Sequence, residues 1–217
     1  MAAKLEISEK LACILKGAQL PVTPLPLTPE IRLYLLSEAY PQRTLTEEDR
    51  HRLMEEPFFW PFCWPSGQVL ARWLRGGQAG IAGKRLLDFG SGSGVVAIAA
   101  ALYGARAVTA LDIDPLSCKA IRANAELNGV SLEITSNFSS LADGYDLILA
   151  ADILYDRDNL SLLEKFAALA DRVVIADSRI KELPPPYKKI GQRRAVTLPD
   201  LGDPEEFRNV SIFAYPD

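Results

Sequence analysis

RLLDFGSGSGVVAIAAALYGARAVTALDID, residues 85–114, is the stretch that decides the fold. An apolar run ends at Asp88, three alternating glycines follow, and an Ala-rich helical segment covers residues 95–103. A second apolar run, residues 108–111, then ends at Asp112. This order predicts a strand, a glycine turn, a helix and a second strand, with an acid about 20 residues beyond the turn. Such a unit binds the ribose of a nucleoside-containing cofactor.

The glycine turn, residues 90–94, has the spacing G-x-G-x-G. Glycine lets the backbone bend sharply and touch a ligand, and the following helix points its free N–H groups at that ligand. A dinucleotide site needs G-x-G-x-x-G, whose third glycine would fall on Val95. With Asp88 two residues ahead, the turn instead resembles the first motif of class I S-adenosylmethionine (SAM) methyltransferases. The alternative is a flexible Gly/Ser loop.

Bulk composition excludes several classes of protein. The chain has 217 residues, 48% of them hydrophobic, and a net charge of −4, which argues against a general nucleic-acid binder. Its three cysteines form no C-x-x-C pair and its one histidine, His51, has no G-x-S-x-G partner motif, so neither a metal site nor a hydrolase triad is predicted. There is no secretory signal and no apolar run of 18 residues, so we expect a cytoplasmic protein.

The first 80 residues read as a helical extension to a core at 81–217. We predict a helix at 8–16, an extended proline-rich stretch at 21–26, a helix opened by Thr28-Pro29-Glu30, and a charged helix at 46–55. None of these segments carries chemistry on its face. We expect the extension to cover the sheet or to shape a substrate entrance.

PFFWPFCWPSG, residues 57–67, concentrates five aromatic side chains in a chain that is 8% aromatic. One interpretation is a hydrophobic plug that docks the extension on the core. The other is that Trp64, just before a Pro65-led helix at 66–74, lines the cofactor pocket. Both can hold together.

The remainder alternates helices and strands. The predicted elements are a helix opened by Asp114-Pro115 and ended by Asn128-Gly129, strands at 131–135, 145–151 and 172–176, a helix capped by Asp158, and a closing pair at 192–198 and 208–215. This alternation predicts an α/β fold: a Rossmann-like, doubly wound, seven-stranded sheet, mostly parallel with an antiparallel closing hairpin.

Ligands of such sheets lie at the carboxyl ends of the strands, where the strand order switches. Gly90, Asp112, Asn137 and Asp152 all fall at predicted strand ends. Asp112 is placed to accept hydrogen bonds from two ribose hydroxyls. Asn137 is a candidate for the adenine edge and Phe138 for the adenine face, although many class I methyltransferases carry an acid near Asn137.

Asp152-Ile153-Leu154-Tyr155 ends the predicted central strand. In DNA and many RNA N-methyltransferases this position reads [D/N]-P-P-[Y/F], whereas D-x-x-Y is similar to a group of seven-strand protein lysine methyltransferases. Asp152 is placed to stabilise charge on a methylated amine, and Tyr155 either to hydrogen-bond to the amine or to wall its channel. The plainer alternatives are that Asp152 caps a helix and that Tyr155 only packs.

Four segments narrow the resemblance: TPEIRLYLL at 28–36, PFFWPFCWPSGQ at 57–68, LLDFGSGSG at 86–94 and ADILYD at 151–156. Together they resemble the lysine methyltransferases of the electron transfer flavoprotein beta subunit, over roughly residues 28–170. The resemblance implies SAM as cofactor, with S-adenosylhomocysteine as product, and a catalytic Asp152. The predicted cofactor-binding set is Trp64, Asp88, Gly90, Ser91, Gly92, Gly94, Asp112, Ile113, Asn137 and Phe138, and no metal is predicted.

The leading hypothesis is therefore a SAM-dependent protein lysine methyltransferase. The resemblance implies the flavoprotein beta subunit as substrate, with a ribosomal protein as a second target. A small-molecule or RNA N-methyltransferase of the same fold, and a non-catalytic SAM-binding protein, stay open as alternatives. Only the basic cluster Lys188, Lys189, Arg193 and Arg194 favours nucleic acid, and beside a net charge of −4 a solvated face is the better explanation. No long apolar stripe is left over, so we expect a monomer with no membrane partner.

Overall fold

A computed structural model describes residues 2–40, 58–77, 80–154 and 157–216. Its helices are α1 (Ala2–Ile14), α2 (Pro65–Arg75), α3 (Val95–Leu102), α4 (Pro115–Asn128) and α5 (Leu162–Leu169). Its strands are β1 (Val22–Pro24), β2 (Arg32–Tyr34), β3 (Arg85–Phe89), β4 (Ala107–Leu111), β5 (Glu133–Thr135), β6 (Leu147–Ala151), β7 (Val173–Asp177), β8 (Lys188–Arg194) and β9 (Asn209–Tyr215).

Seven of these strands form one sheet in the order β5-β4-β3-β6-β7-β9-β8. Neighbouring strands from β5 to β7 are parallel, whereas β9 runs antiparallel to both β7 and β8. The chain winds outward from β3 in both directions, which makes β3 the point where the strand order switches. The predicted doubly wound sheet with an antiparallel closing hairpin is confirmed.

Alternate side chains of the strands point to opposite faces of the sheet, as the pleat requires. Leu86, Leu149 and Val174 lie in the core beneath α2 and α3. Leu87 and Ile148 lie on the other face, in the core that contains Phe166 of α5. Each face is thus covered by helices, which explains why these strands read as nearly continuous apolar runs.

The predicted helix at Thr28 is wrong. Residues 32–34 form β2, which pairs antiparallel with β1. Ile31, Leu33 and Leu35 are all fully buried, and this period of two is that of a strand. The proline after Thr28 is a helix-start signal, but the alternation of buried side chains overrides it.

Several other boundaries move. Helix α1 begins at Ala2, ahead of the predicted start at residue 8. The helix predicted from Asp158 begins only at Leu162, because a 3-10 turn, Arg157–Ser161, precedes α5. The predicted helix at 46–55 lies outside the described residues, as does His51. The proposed division at residue 80 stays a prediction, and the main core contains side chains from both sides of it, such as Leu70 and Leu86.

Two asparagines of α4 hold the β1–β2 hairpin. Asn124 accepts a hydrogen bond from the Tyr34 backbone N–H at 2.8 Å, and its Nδ2 donates to the Ser93 carbonyl at 2.8 Å. Asn128 accepts from the Arg32 N–H at 3.0 Å and donates to the Arg32 carbonyl at 2.6 Å. The two amides take the place of a third strand on the free edge of β2. Asn124 also ties the hairpin to the glycine turn.

Asp88 holds the glycine turn from beneath. Its Oδ2 accepts hydrogen bonds from Ser91 Oγ at 2.5 Å and from the Ala97 N–H at 3.0 Å, which joins the turn to α3. The residue is 1% exposed. Burial raises the pKa of the carboxyl to about 7, and the charge of Asp112 adds to that rise, while the two hydrogen bonds oppose it.

Asn124→Ala should lower the free energy of unfolding by about 2–4 kcal/mol, because it leaves two backbone groups without their partner. Urea unfolding at equilibrium measures this. Arg122→Ala, on the exposed face of the same helix, is the matched control and should stay within about 0.5 kcal/mol of wild type. Equal midpoints for the two variants would contradict the role given to Asn124.

Asp88→Asn should change how stability depends on pH. Because the pKa of Asp88 is raised on folding from 3.8 to about 7, the folded protein keeps a proton that the unfolded chain releases between these values. The wild type should therefore lose free energy of unfolding relative to Asp88→Asn as pH rises from about 4 to 7, by at most about 1.4 kcal/mol per pH unit. Urea unfolding at several pH values measures the difference. The same difference at every pH would show that Asp88 is already ionised in the folded protein.

Candidate active site

The carboxyl ends of β4, β3 and β6 are adjacent in the sheet and bring three predicted site features together. The glycine turn follows β3, Asp112 follows β4, and Asp152 follows β6. Asn137 follows β5, at the outer side of the same edge. These residues are far apart in sequence, and the parallel pairing of their strands is what makes them neighbours.

The glycine turn lies directly against β4 and Asp112. The N–H groups of Gly90 and Ser91 both donate to the Leu111 carbonyl, at 2.9 and 3.0 Å. A Cβ on Gly90 would come within 2.8 Å of Ile153 Cγ2, at a backbone φ of +69°. On Gly94, at φ +83°, a Cβ would press on Ile121 of α4. The turn is therefore restricted to glycine by close packing on both sides.

Asp112 fixes the turn from the β4 side. Its Oδ2 accepts from the Gly92 N–H at 2.7 Å, and its Oδ1 accepts from the Asp114 N–H at 3.0 Å. Burial raises the pKa of the carboxyl, while the two backbone hydrogen bonds oppose that rise. Each carboxylate oxygen keeps a further lone pair, so the group can accept hydrogen bonds from a ligand as well.

Ile113, the next residue, is 81% exposed. An apolar side chain this exposed, next to the half-buried Asp112 carboxylate at a strand end, offers an apolar surface to the ring of a ligand. Asp114 then caps α4 by accepting from the Leu116 and Ser117 N–H groups, as the sequence predicts.

Asn137 and Phe138 lie where predicted, and their environment limits their roles. The Asn137 amide oxygen accepts from the Ser139 N–H at 2.9 Å and so caps a short 3-10 turn. The Phe138 ring meets Phe89 edge-on at 5.8 Å and lies under the Lys165 ammonium at 6.0 Å. Part of the Phe138 ring therefore packs against the core that contains Phe166.

Asp152 has the most crowded hydrogen bonding in the site. Its Oδ1 accepts from Ser66 Oγ at 2.7 Å, from Ser178 Oγ at 2.7 Å and from the Ser178 N–H at 2.9 Å. Its Oδ2 accepts from the Ser66 N–H at 3.1 Å. Asp152 therefore does cap a helix, but that helix is α2 from the N-terminal segment, not the one that follows β6.

Sequence reasoning missed Ser66 and Ser178. Ser178 follows β7, the parallel neighbour of β6. Because the carboxyl ends of parallel strands meet at one edge of the sheet, the position of Ser178 near Asp152 could have been predicted from the sequence. Ser66 had no such signal, because nothing in the sequence shows that the start of α2 lies over the end of β6. Tyr155, predicted beside Asp152, lies outside the described residues.

Trp64 immediately precedes α2 and is half-buried. Its Nε1 donates to the Phe59 carbonyl at 3.2 Å, and its ring packs against Phe59 and Phe62 at centroid distances of 5.9 and 5.7 Å. The predicted plug is present, since Trp60 and Phe58 of the same segment are buried against α1 and α4. Trp64 lies two residues from Ser66 and hence close to Asp152.

The described cysteines are all free thiols. Burial raises the pKa of Cys63, so this thiol is kept neutral. No group of metal-binding side chains is found in the part of the chain that the structure describes. Within the same residues, no helix is both long and apolar enough to cross a membrane.

Comparison with known proteins adds a family match. The model of the ribosomal protein L11 methyltransferase (PrmA) family matches residues 73–172. The electron transfer flavoprotein beta subunit lysine methyltransferase of Mus musculus is 38% identical over 159 residues, 70% of this chain and 61% of that protein. Its counterpart from Danio rerio is 43% identical over 133 residues, 60% of this chain and 50% of that protein.

A solved structure supports the fold. Magnesium protoporphyrin IX methyltransferase from Synechocystis PCC 6803, with bound SAM, superposes with a TM-score of 0.53 at 18% identity, over 69% of this chain and 78% of that chain. The chain spans 50–61% of the length of the two curated relatives above. Sheet order, family match and relatives agree in their similarity to the class I SAM-dependent methyltransferases.

Proposed function

We propose that this protein is a SAM-dependent protein-lysine N-methyltransferase that acts on the electron transfer flavoprotein beta subunit. The observation that carries the proposal is the carboxylate of Asp152, which is held beside the glycine turn by hydrogen bonds. The similar curated proteins named above are lysine methyltransferases of the electron transfer flavoprotein beta subunit. A ribosomal protein is the second candidate substrate, favoured by the match of residues 73–172 to the L11 methyltransferase model.

The residues at the strand ends fit SAM. The glycine turn leaves its backbone open to the ligand, because a Cβ-free Gly92 at φ +53° has no neighbour within 4 Å of the Cβ position. Asp112 has lone pairs for the ribose hydroxyls, and Ile113 offers an apolar surface to the adenine. When bound, SAM supplies the methyl group from its sulfonium and becomes S-adenosylhomocysteine.

The lysine amine is the harder part of the reaction. A free lysine has a pKa of about 10.4, so presenting it neutral at pH 7 costs about 4–5 kcal/mol. Methyl transfer is an in-line displacement, so positioning the amine supplies much of the rate. As the nitrogen takes the methyl group it becomes positive, and a carboxylate that already points at it stabilises that charge. Asp152 is the carboxylate that we assign to this role.

The basic cluster on β8 does not favour the RNA alternative. Arg194 pairs with Glu205, and Lys189 Nζ donates to Gln192 Oε1. This strand is at the outer end of the sheet, four places from β3 in the strand order. Cytoplasmic location, a monomeric state and the absence of a membrane partner remain part of the proposal.

Ile113→Ser should weaken SAM binding about 10-fold, because it removes the apolar surface proposed to contact the adenine. Asp112→Ala should weaken it about 100-fold, since two charge-assisted hydrogen bonds to the ribose are lost. Isothermal titration calorimetry measures both. Leu5→Ser, at a 62% exposed apolar position on α1, is the control and should bind as wild type does. Unchanged affinity in Ile113→Ser would place the adenine elsewhere.

Asp152→Asn should lower methylation of the flavoprotein beta subunit at least about 100-fold and leave SAM affinity unchanged, because it removes the charge that stabilises the transition state while the amide oxygen still accepts the hydrogen bonds made to Oδ1. Radiolabelled SAM and purified flavoprotein from the source cells measure transfer, and the labelled lysine is found by mass spectrometry. Asp171→Asn, at an exposed aspartate, is the matched control.

The same incubation with whole extract, separated into protein, RNA and small-molecule fractions, tests the substrate class. Label confined to RNA or small molecules would overturn the lysine assignment. Full transfer by Asp152→Asn would overturn the role of Asp152. No transfer to any fraction, with SAM binding intact, would leave a binding protein.

A further inference from the structure

Two serines from different parts of the fold hydrogen-bond to Asp152. Ser66 belongs to the first turn of α2 and is fully buried, and Ser178 directly follows β7 and is 6% exposed. They lie 86 and 26 residues away from Asp152 in sequence. Each donates both a hydroxyl and a backbone N–H, so the carboxylate accepts four hydrogen bonds.

The four hydrogen bonds are unevenly shared between the two oxygens. Oδ1 accepts three, from both hydroxyls and from the Ser178 N–H, whereas Oδ2 accepts only the Ser66 N–H. A carboxylate oxygen has about two good acceptor directions. Oδ1 is therefore saturated by the protein, and Oδ2 keeps capacity for one more donor.

The segment after β7 fixes Ser178 in turn. Asp177 Oδ1 accepts from the N–H groups of Arg179 and Ile180, each at 2.8 Å, which shapes the turn around Ser178. Lys181 Nζ donates to the Ser178 carbonyl at 2.6 Å, and also to the carbonyls of Glu206 and Asn209. Ser178 is thus anchored independently of Asp152.

The backbone of Asp152 has a left-handed conformation, which the four hydrogen bonds to its side chain help to stabilise. Its φ is +51°, and it is the one non-glycine residue with positive φ among the described residues. Such a conformation is unfavourable for a residue with a side chain and persists where its surroundings determine it. At a strand end beside the glycine turn, it turns the carboxyl towards Ser66 and Ser178.

We infer that Ser66 and Ser178 are positioning residues for methyl transfer: they hold Oδ1 with three hydrogen bonds and Oδ2 with one, and leave the second acceptor direction of Oδ2 to meet the substrate amine. The inference rests on the proposed function. The serines do not touch the reacting atoms in this assignment. They act by fixing the carboxylate before the amine arrives, so that no reorganisation is needed as charge develops.

Ser178→Ala and Ser66→Ala should each lower kcat about 10- to 100-fold, because a displaced carboxylate no longer meets the amine. The affinity for SAM, measured by calorimetry, should not change. Ser178→Thr, which keeps the hydroxyl donor, should recover most of the loss in kcat. Ser211→Ala is the matched control: Ser211 Oγ is fully buried and has no hydrogen-bond partner among the described residues, so kcat should stay at the wild-type value.

A double variant separates positioning from general loss of structure. In an Asp152→Asn background, Ser178→Ala should lower kcat by less than about 2-fold, because the group it positions is already inactive. Full additivity of the two changes, or wild-type kcat in both single serine variants, would overturn the inference. Equal losses in Ser178→Ala and Ser211→Ala would also overturn it. No transfer by the wild-type protein is a different result, which overturns the proposed function itself.

Discussion

The buried contact between Asp88 and the glycine turn is the interaction on which the proposed cofactor edge depends. Asp88 joins Ser91 to the first turn of α3, so the turn and the helix behind it are one unit. Asp112 accepts a hydrogen bond from the Gly92 N–H of the same turn, and Asn124 donates one to its Ser93 carbonyl. A glycine-rich turn has high conformational entropy to lose on folding, and these three side chains fix it before any ligand binds.

The N-terminal segment belongs to the site as much as the sheet does. Helix α1 and the buried aromatics Phe58 and Trp60 pack against α4, whose asparagines hold the β1–β2 hairpin. Helix α2 delivers Ser66 to Asp152, and Gln68 of the same helix donates to the carbonyls of Cys63 and Val196. The extension therefore connects the end of β6 with the chain beyond β8. Its predicted role as a cover describes only part of what it does.

Local signals in the sequence were sufficient for the central unit and insufficient for the contacts that complete the site. The β3–turn–α3–β4 order and the Asp114 cap depend on neighbouring residues, and the structure has both. The segment after Thr28 begins with a proline, which is a helix-start signal. In the structure its side chains alternate between buried and more exposed positions, and this burial favours the strand over the helix. The partners of Asp152 come from two other elements, so no local pattern could name them.

In the proposed reaction, the saturation of Oδ1 lets one aspartate serve both the structure and the chemistry of the site. A carboxylate free to rotate in a wet cleft would lose part of its stabilising effect to reorientation and to water. Here three donors hold one oxygen and a helix N-terminus holds the other, and helix N-termini favour negative charge. With Oδ1 occupied by three donors and one acceptor direction free on Oδ2, Asp152 is placed to stabilise the cation that develops on the amine in the proposed reaction.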